Sequence, residues 1–124
     1  MKYIGKLDKY KLGRYCDRIV TDEVILTDER IKHIQDKHFV DYEVIINNIP
    51  IVVRNPTEVL EDRKHEDTIF LLRRLSTNHL NVIVKLNTCN NTEHPKNSVM
   101  TAWIIRDKNL KKLRKGNKTL YKRE

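Results

Sequence analysis

Five side chains in three stretches carry the chemistry this sequence could perform. In LNVIVKLN (residues 80–87), Leu80, Val82, Val84 and Leu86 alternate with Asn81, Ile83, Lys85 and Asn87, the period of a strand with one apolar face. A charge at Lys85 is costly there unless solvated or paired. On an open face its ammonium is placed to hold a phosphate; the plain alternative is a sheet-surface lysine with no role. In NSVMTAWIIR (residues 97–106) the same period puts Met100, Ala102 and Ile104 on one face and Val99, Thr101, Trp103 and Ile105 on the other. Thr101 is either a simple β-former or a hydroxyl donor to an anionic transition state. Trp103 is either core or a platform on which a base stacks. His33 and His38, in RIKHIQDKHF, are the only histidines on a regular helix, and imidazole exchanges its proton near neutral pH. Each also fits a structural role, His38 in packing and His33 at the surface. HIQDKH is not the HExxH of zinc hydrolases. His65, His79 and His94 fall in loops or at strand ends and attract no role, and no P-loop, GxSxG, GxGxxG or paired-carboxylate signature appears.

The elements that must position these groups follow from periodicity and punctuation. Thr27 opens the clearest helix as its N-cap, with Asp28 and Glu29 in the first turn where the helix dipole favours acids. It runs to about His38, with Ile31, Ile34 and His38 on the buried stripe and His33 and Lys37 on a second, more polar line. A second helix is expected over Tyr42–Asn48. Pro50 is expected outside it, starting a short helical turn, although Ile51–Arg54 also reads as a strand. Strands follow at Thr57–Glu61, Thr68–Leu75, Leu80–Leu86 and Asn97–Arg106, linked by a charged turn (Arg63–Glu66) and a polar loop (NTCNNTEHPK). Asp107–Lys115 reads as a basic helix ended by Gly116. Lys2–Lys6 is a candidate edge strand and Arg18–Leu26 a candidate small hairpin. Short links between sequential strands imply an antiparallel meander. The expected fold is α+β, with N-terminal helices packed on one face of a four-stranded antiparallel sheet and a short C-terminal helix. Residues 1–115 form one domain in this reading, and 116–124 a basic, mobile tail.

The chain of 124 residues carries a net charge of +8, placed unevenly: residues 1–18 contribute +4, residues 106–124 contribute +7, and the middle is acidic by −3. Cationic ends favour a polyanionic partner, although charge runs also serve as solvated surface. Two cysteines, Cys16 and Cys89, make neither a disulfide framework nor a zinc pattern, so a reduced, cytoplasmic chain without metal or cofactor is expected. The N-terminal stretch has no apolar run of signal-peptide length, and nothing approaches a membrane span.

The ordered set LTDERIKHIQDKH, IVVRNPTEVLED, LNVIVKLN and NSVMTAWII resembles the phage-associated nuclease-like domains of the barnase, EndoU, colicin and RelE-like superfamily, over roughly Ile4 to Leu113. The resemblance implies a compact α+β endoribonuclease that needs no metal, acting as a toxin or phage-derived effector. It places His33 and His38 on a helix facing the cleft, Lys85 on the third main strand, and Ser98, Thr101 and Trp103 on the fourth. His33, His38, Lys85 and Thr101 are then the expected catalytic set, with His33 as base or acid, and Ser98, Trp103 and Arg106 the expected substrate contacts. The implied partners are RNA, for instance tRNA, and an immunity protein or antitoxin. A catalytically silent RNA- or protein-binding module of the same fold is the alternative, because fold does not settle activity.

Overall fold

A computed structural model describes residues 2–88 and 95–123. Cys89, His94 and most of the loop expected at 87–96 lie outside these residues. The elements are β1 (Lys2–Lys6), β2 (Glu23–Leu26), α1 (Asp28–Lys37), α2 (Tyr42–Arg54), β3 (Glu58–Glu61), β4 (Thr68–Arg74), β5 (His79–Lys85), β6 (Asn97–Ile105), α3 (Asp107–Gly116) and β7 (Lys118–Lys122). Two short 3-10 turns, Lys9–Lys11 and Gly13–Asp17, lie between β1 and β2.

The sheet corrects the expected architecture. The four sequential strands form the expected antiparallel meander, but they are the middle of a seven-stranded mixed sheet of order β1-β2-β6-β5-β4-β3-β7. β2 joins β6 in parallel, and β1 pairs with β2 instead of Arg18–Leu26 folding on itself. The buried Asn97 amide locks that parallel junction. Its Nδ2 donates to the carbonyls of Thr21 (2.8 Å) and Glu23 (2.9 Å), while its Oδ1 accepts from the Asn87 N–H (2.8 Å). Residues 118–122, expected in a mobile tail, instead cover the outer edge of β3. An unpaired edge exposes a row of backbone donors and acceptors, and Leu120 and Tyr121 add partly buried contacts to the core.

The helices follow their local signals with one exception. Thr27 caps α1, accepting from the Arg30 N–H at 3.3 Å, and His38 is its C-cap. Pro50 lies inside α2, where exclusion was expected. A proline in a helix interior forfeits a backbone hydrogen bond and crowds the preceding turn, at about 3 kcal/mol. Continuation buries Val52 and Val53 completely in the core that already holds Ile45 and Ile49, and burying such side chains returns about 1.5–3 kcal/mol each.

The sheet has two apolar faces. One packs with α2 and Ile34 of α1 around Leu80, Val82, Val84, Val99 and Ala102. The other holds a smaller cluster of Leu60, Phe70, Leu72, Ile83 and Ile105 beneath Leu110 of α3. A bulge explains why the expected alternation of β6 fails: Val84 pairs with Val99 and Ile83 with Thr101, so Met100 is an extra residue. Val99 therefore joins Ala102 and Ile104 on the α2 side, whereas Met100 packs with Trp103 on the other.

Candidate active site

The second sheet face is only partly roofed by α3, and the open remainder is a cavity of about 990 Å³. Its floor includes Phe70 and Thr68 of β4, Ile83 and Lys85 of β5, and Met100, Thr101 and Trp103 of β6. Strand register explains the grouping. Ile83 lies opposite Thr101, Asn81 opposite Trp103, and Lys85 opposite both Thr68 and Ser98. The bulge at Met100 keeps Thr101 on the face that also carries Lys85. Asn109, Lys112 and Leu113 of α3 make one wall, and the turn from Asp62 to His65 makes the rim.

Lys85 stands where this cavity meets a second one of about 510 Å³, lined also by Arg30, Lys96 and Ser98. Its ammonium is exposed and donates to the Glu66 carbonyl at 2.7 Å, which steadies the charge without neutralising it. Lys96 is paired with Glu23. The junction therefore offers cations and a serine hydroxyl, a set suited to an anion with more than one oxygen to hold. Trp103 meets both readings raised from its sequence position, being half-buried in the apolar cluster and part of the cavity wall.

The helical histidines separate. His38 lies against Trp103, with ring centroids 6.4 Å apart and planes 27° from parallel. Burial, then the positive field of His33, hold its pKa below the ordinary imidazole value, with Asp41 opposing them. His33 is half-buried on α1, and neither helical histidine lines either cavity; His38 approaches the first only through Trp103. Arg106 is the exposed N-cap of α3 and also lines neither, so the residue expected beside the substrate instead starts the helix that walls the site.

Sequence reasoning passed over a second histidine. His65 lines the cavity, and its Nδ1 lies 2.8 Å from Oδ2 of Asp62, whose side chain is 8% exposed. The signal was present as Asp-x-x-His inside DRKHED, but a charged turn between strands reads by default as solvated surface. Asn109 and Lys112 sit in a helix that the sequence marks only as basic, which does not tell which of its polar side chains face the cavity. Among the described residues no three His, Cys, Asp or Glu side chains come together as a metal-binding group. No described helix is long and apolar enough to cross a membrane.

His79 behaves like His38. Its Nδ1 is buried without a hydrogen-bond partner, and burial, then Arg114 and Arg74, lower its pKa. A lowered folded-state value means that the unfolded chain binds more protons just below its own pKa of about 6.5, so stability rises with pH there. Acidification from about pH 7.5 to about pH 5.5 is therefore expected to lower the urea midpoint, and His79→Gln to lessen that drop. An equal drop in the variant would assign the effect to other groups.

Searches of curated proteins and of solved structures return no significant match. The family model described as phage-Barnase-EndoU-ColicinE5/D-RelE like nuclease3 matches residues 4–112, a span that takes in both helical histidines, the Asp62–His65 turn, the bulged β6 strand and most of α3. The chain accordingly belongs to the phage-Barnase-EndoU-ColicinE5/D-RelE like nuclease3 family, a nuclease family, which suggests nucleic acid as the substrate class.

Proposed function

We propose that this chain is a metal-independent endoribonuclease that cleaves RNA by attack of the ribose 2′-hydroxyl on the adjacent phosphate. The observation that carries the reading is the common cavity of Lys85, Thr101 and Trp103, with the His38 ring against Trp103. Transfer within RNA needs a base for the 2′-hydroxyl, donors for the charge that grows on the phosphorane, and a proton for the departing 5′-oxygen. His38, whose pKa burial lowers, suits the base. Lys85 and Thr101 suit the phosphorane, Ser98 a flanking phosphate oxygen, and Trp103 a stacked base. The net charge of +8, concentrated at the two ends of the chain, favours a polyanionic partner.

The test is incubation of purified protein with total RNA and with single-stranded DNA in excess EDTA. Cleavage of RNA alone, leaving 2′,3′-cyclic phosphate ends, is the expected result, with His38→Ala lowering the rate roughly 10²–10⁴-fold. Salt-sensitive RNA binding without cleavage would instead establish the catalytically silent module. Such an activity fits a toxin or phage-derived effector working on cytoplasmic RNA, restrained by an immunity protein or antitoxin. Expression without an inhibitor is then expected to arrest growth, and His38→Ala to relieve the arrest.

A further inference from the structure

Resting on the nuclease reading, we propose that His65, oriented by Asp62, is the general acid that protonates the leaving 5′-oxygen. The Asp62–His65 turn is built as a fixed mount at the Lys85 end of the cavity. Both carboxylate oxygens of Asp62 are engaged, Oδ2 with His65 Nδ1 and Oδ1 with the Lys64 N–H, each at 2.8 Å. The Asp62 N–H donates to the Thr68 carbonyl at 2.9 Å, and the Arg63 N–H to Oδ1 of Asn117, just past α3, at 2.9 Å. The next residue, Glu66, offers its carbonyl to the Lys85 ammonium at 2.7 Å and to the Thr68 hydroxyl at 3.1 Å. A phosphate held by Lys85 therefore shares its cavity with an imidazole whose ring is set by a carboxylate.

A carboxylate on Nδ1 fixes the tautomer and leaves Nε2 to exchange a proton with substrate. His65 is 72% exposed, so that exchange needs no rearrangement of the fold. The two histidines then divide the reaction. His38 takes the 2′-hydroxyl proton as the O2′–P bond forms, and His65 gives its proton to the 5′-oxygen as the P–O5′ bond breaks. The products are a 2′,3′-cyclic phosphate and a 5′-hydroxyl end; the protein finishes with His38 protonated and His65 neutral, its proton count unchanged, and exchange with water returns both to their starting states.

The assignment is tested with an oligoribonucleotide that the wild type cleaves, made twice: once natural, once with a bridging sulfur in place of the 5′-oxygen at the cleaved bond. A thiolate leaves without protonation, so a missing acid no longer matters. His65→Ala is expected to lower cleavage of the natural substrate about 10²–10⁴-fold and to fall within roughly tenfold of wild type on the sulfur substrate. His38→Ala stays impaired on both. Asp62 is a positioning residue, and Asp62→Asn is expected to show a smaller loss that the sulfur substrate also repairs. Equal loss of His65→Ala on both substrates, or no loss on either, overturns the assignment while leaving the nuclease reading standing. A wild type that cleaves no RNA overturns both.

Discussion

Replacement of Lys85 by alanine is expected to lower the rate of RNA cleavage by about 10²–10³-fold, the usual cost of removing one donor to a developing anionic charge. The effect falls on function because the residue carries little of the fold. Its ammonium is exposed and makes one described hydrogen bond, to the Glu66 carbonyl. Lys85→Arg keeps the charge on a wider, planar group and is expected to lie between wild type and alanine. If the contact is to phosphate, the alanine variant also binds RNA with a shallower salt dependence, by about 0.7 in the log–log slope for one single-strand phosphate. Lys2→Ala, on the β1 edge strand and outside both cavities, serves as the charge-matched control. Equal activity of Lys85→Ala and Lys2→Ala would remove Lys85 from the site.

The largest effect on stability is expected from Arg114→Ala, a loss of about 2–4 kcal/mol in urea unfolding. Glu58 is 3% exposed, and its two carboxylate oxygens each accept from the Arg114 guanidinium at 2.8 Å. Without the arginine the carboxylate is left charged in an apolar setting beside Leu60. The range sits below that for a fully buried pair because the Arg114 side chain remains 34% exposed, and water already screens part of the interaction. The same change unpins α3 from β3, so it is also expected to loosen the cavity wall formed by Asn109, Lys112 and Leu113. His79 gives the prediction a second handle. Arg114 lowers its pKa and Glu58 raises it, so loss of the arginine lets His79 take a proton and partly neutralise Glu58. The destabilisation should therefore be smaller near pH 5.5 than near pH 7.5. A loss below about 0.5 kcal/mol at both pH values would place the pair among surface ion pairs of little consequence.

Local pattern in the amino-acid sequence determined the pieces whose physics is local. The period of two in Leu80–Leu86 assigned Lys85 and Ile83 to one face, and that face is the cavity floor. Thr27 with its acidic first turn set the start of α1, and the short links between β3, β4, β5 and β6 set their antiparallel order. Long-range pairing was decided only by the tertiary structure, because an edge strand such as Lys118–Lys122 carries no mark of the distant partner, Glu58–Glu61, that it will find. The bulge at Met100 belongs to the same class. It exists in the pairing of two strands and not in either alone, yet it determines which β6 side chains reach the site. Packing against the sheet likewise carried α2 through Pro50, against the preference of that residue. The Asp62–His65 pair lies between these cases: the spacing stood in the sequence, but only the fold brings that turn to the cavity that Lys85 and Thr101 line, and function depends on that proximity.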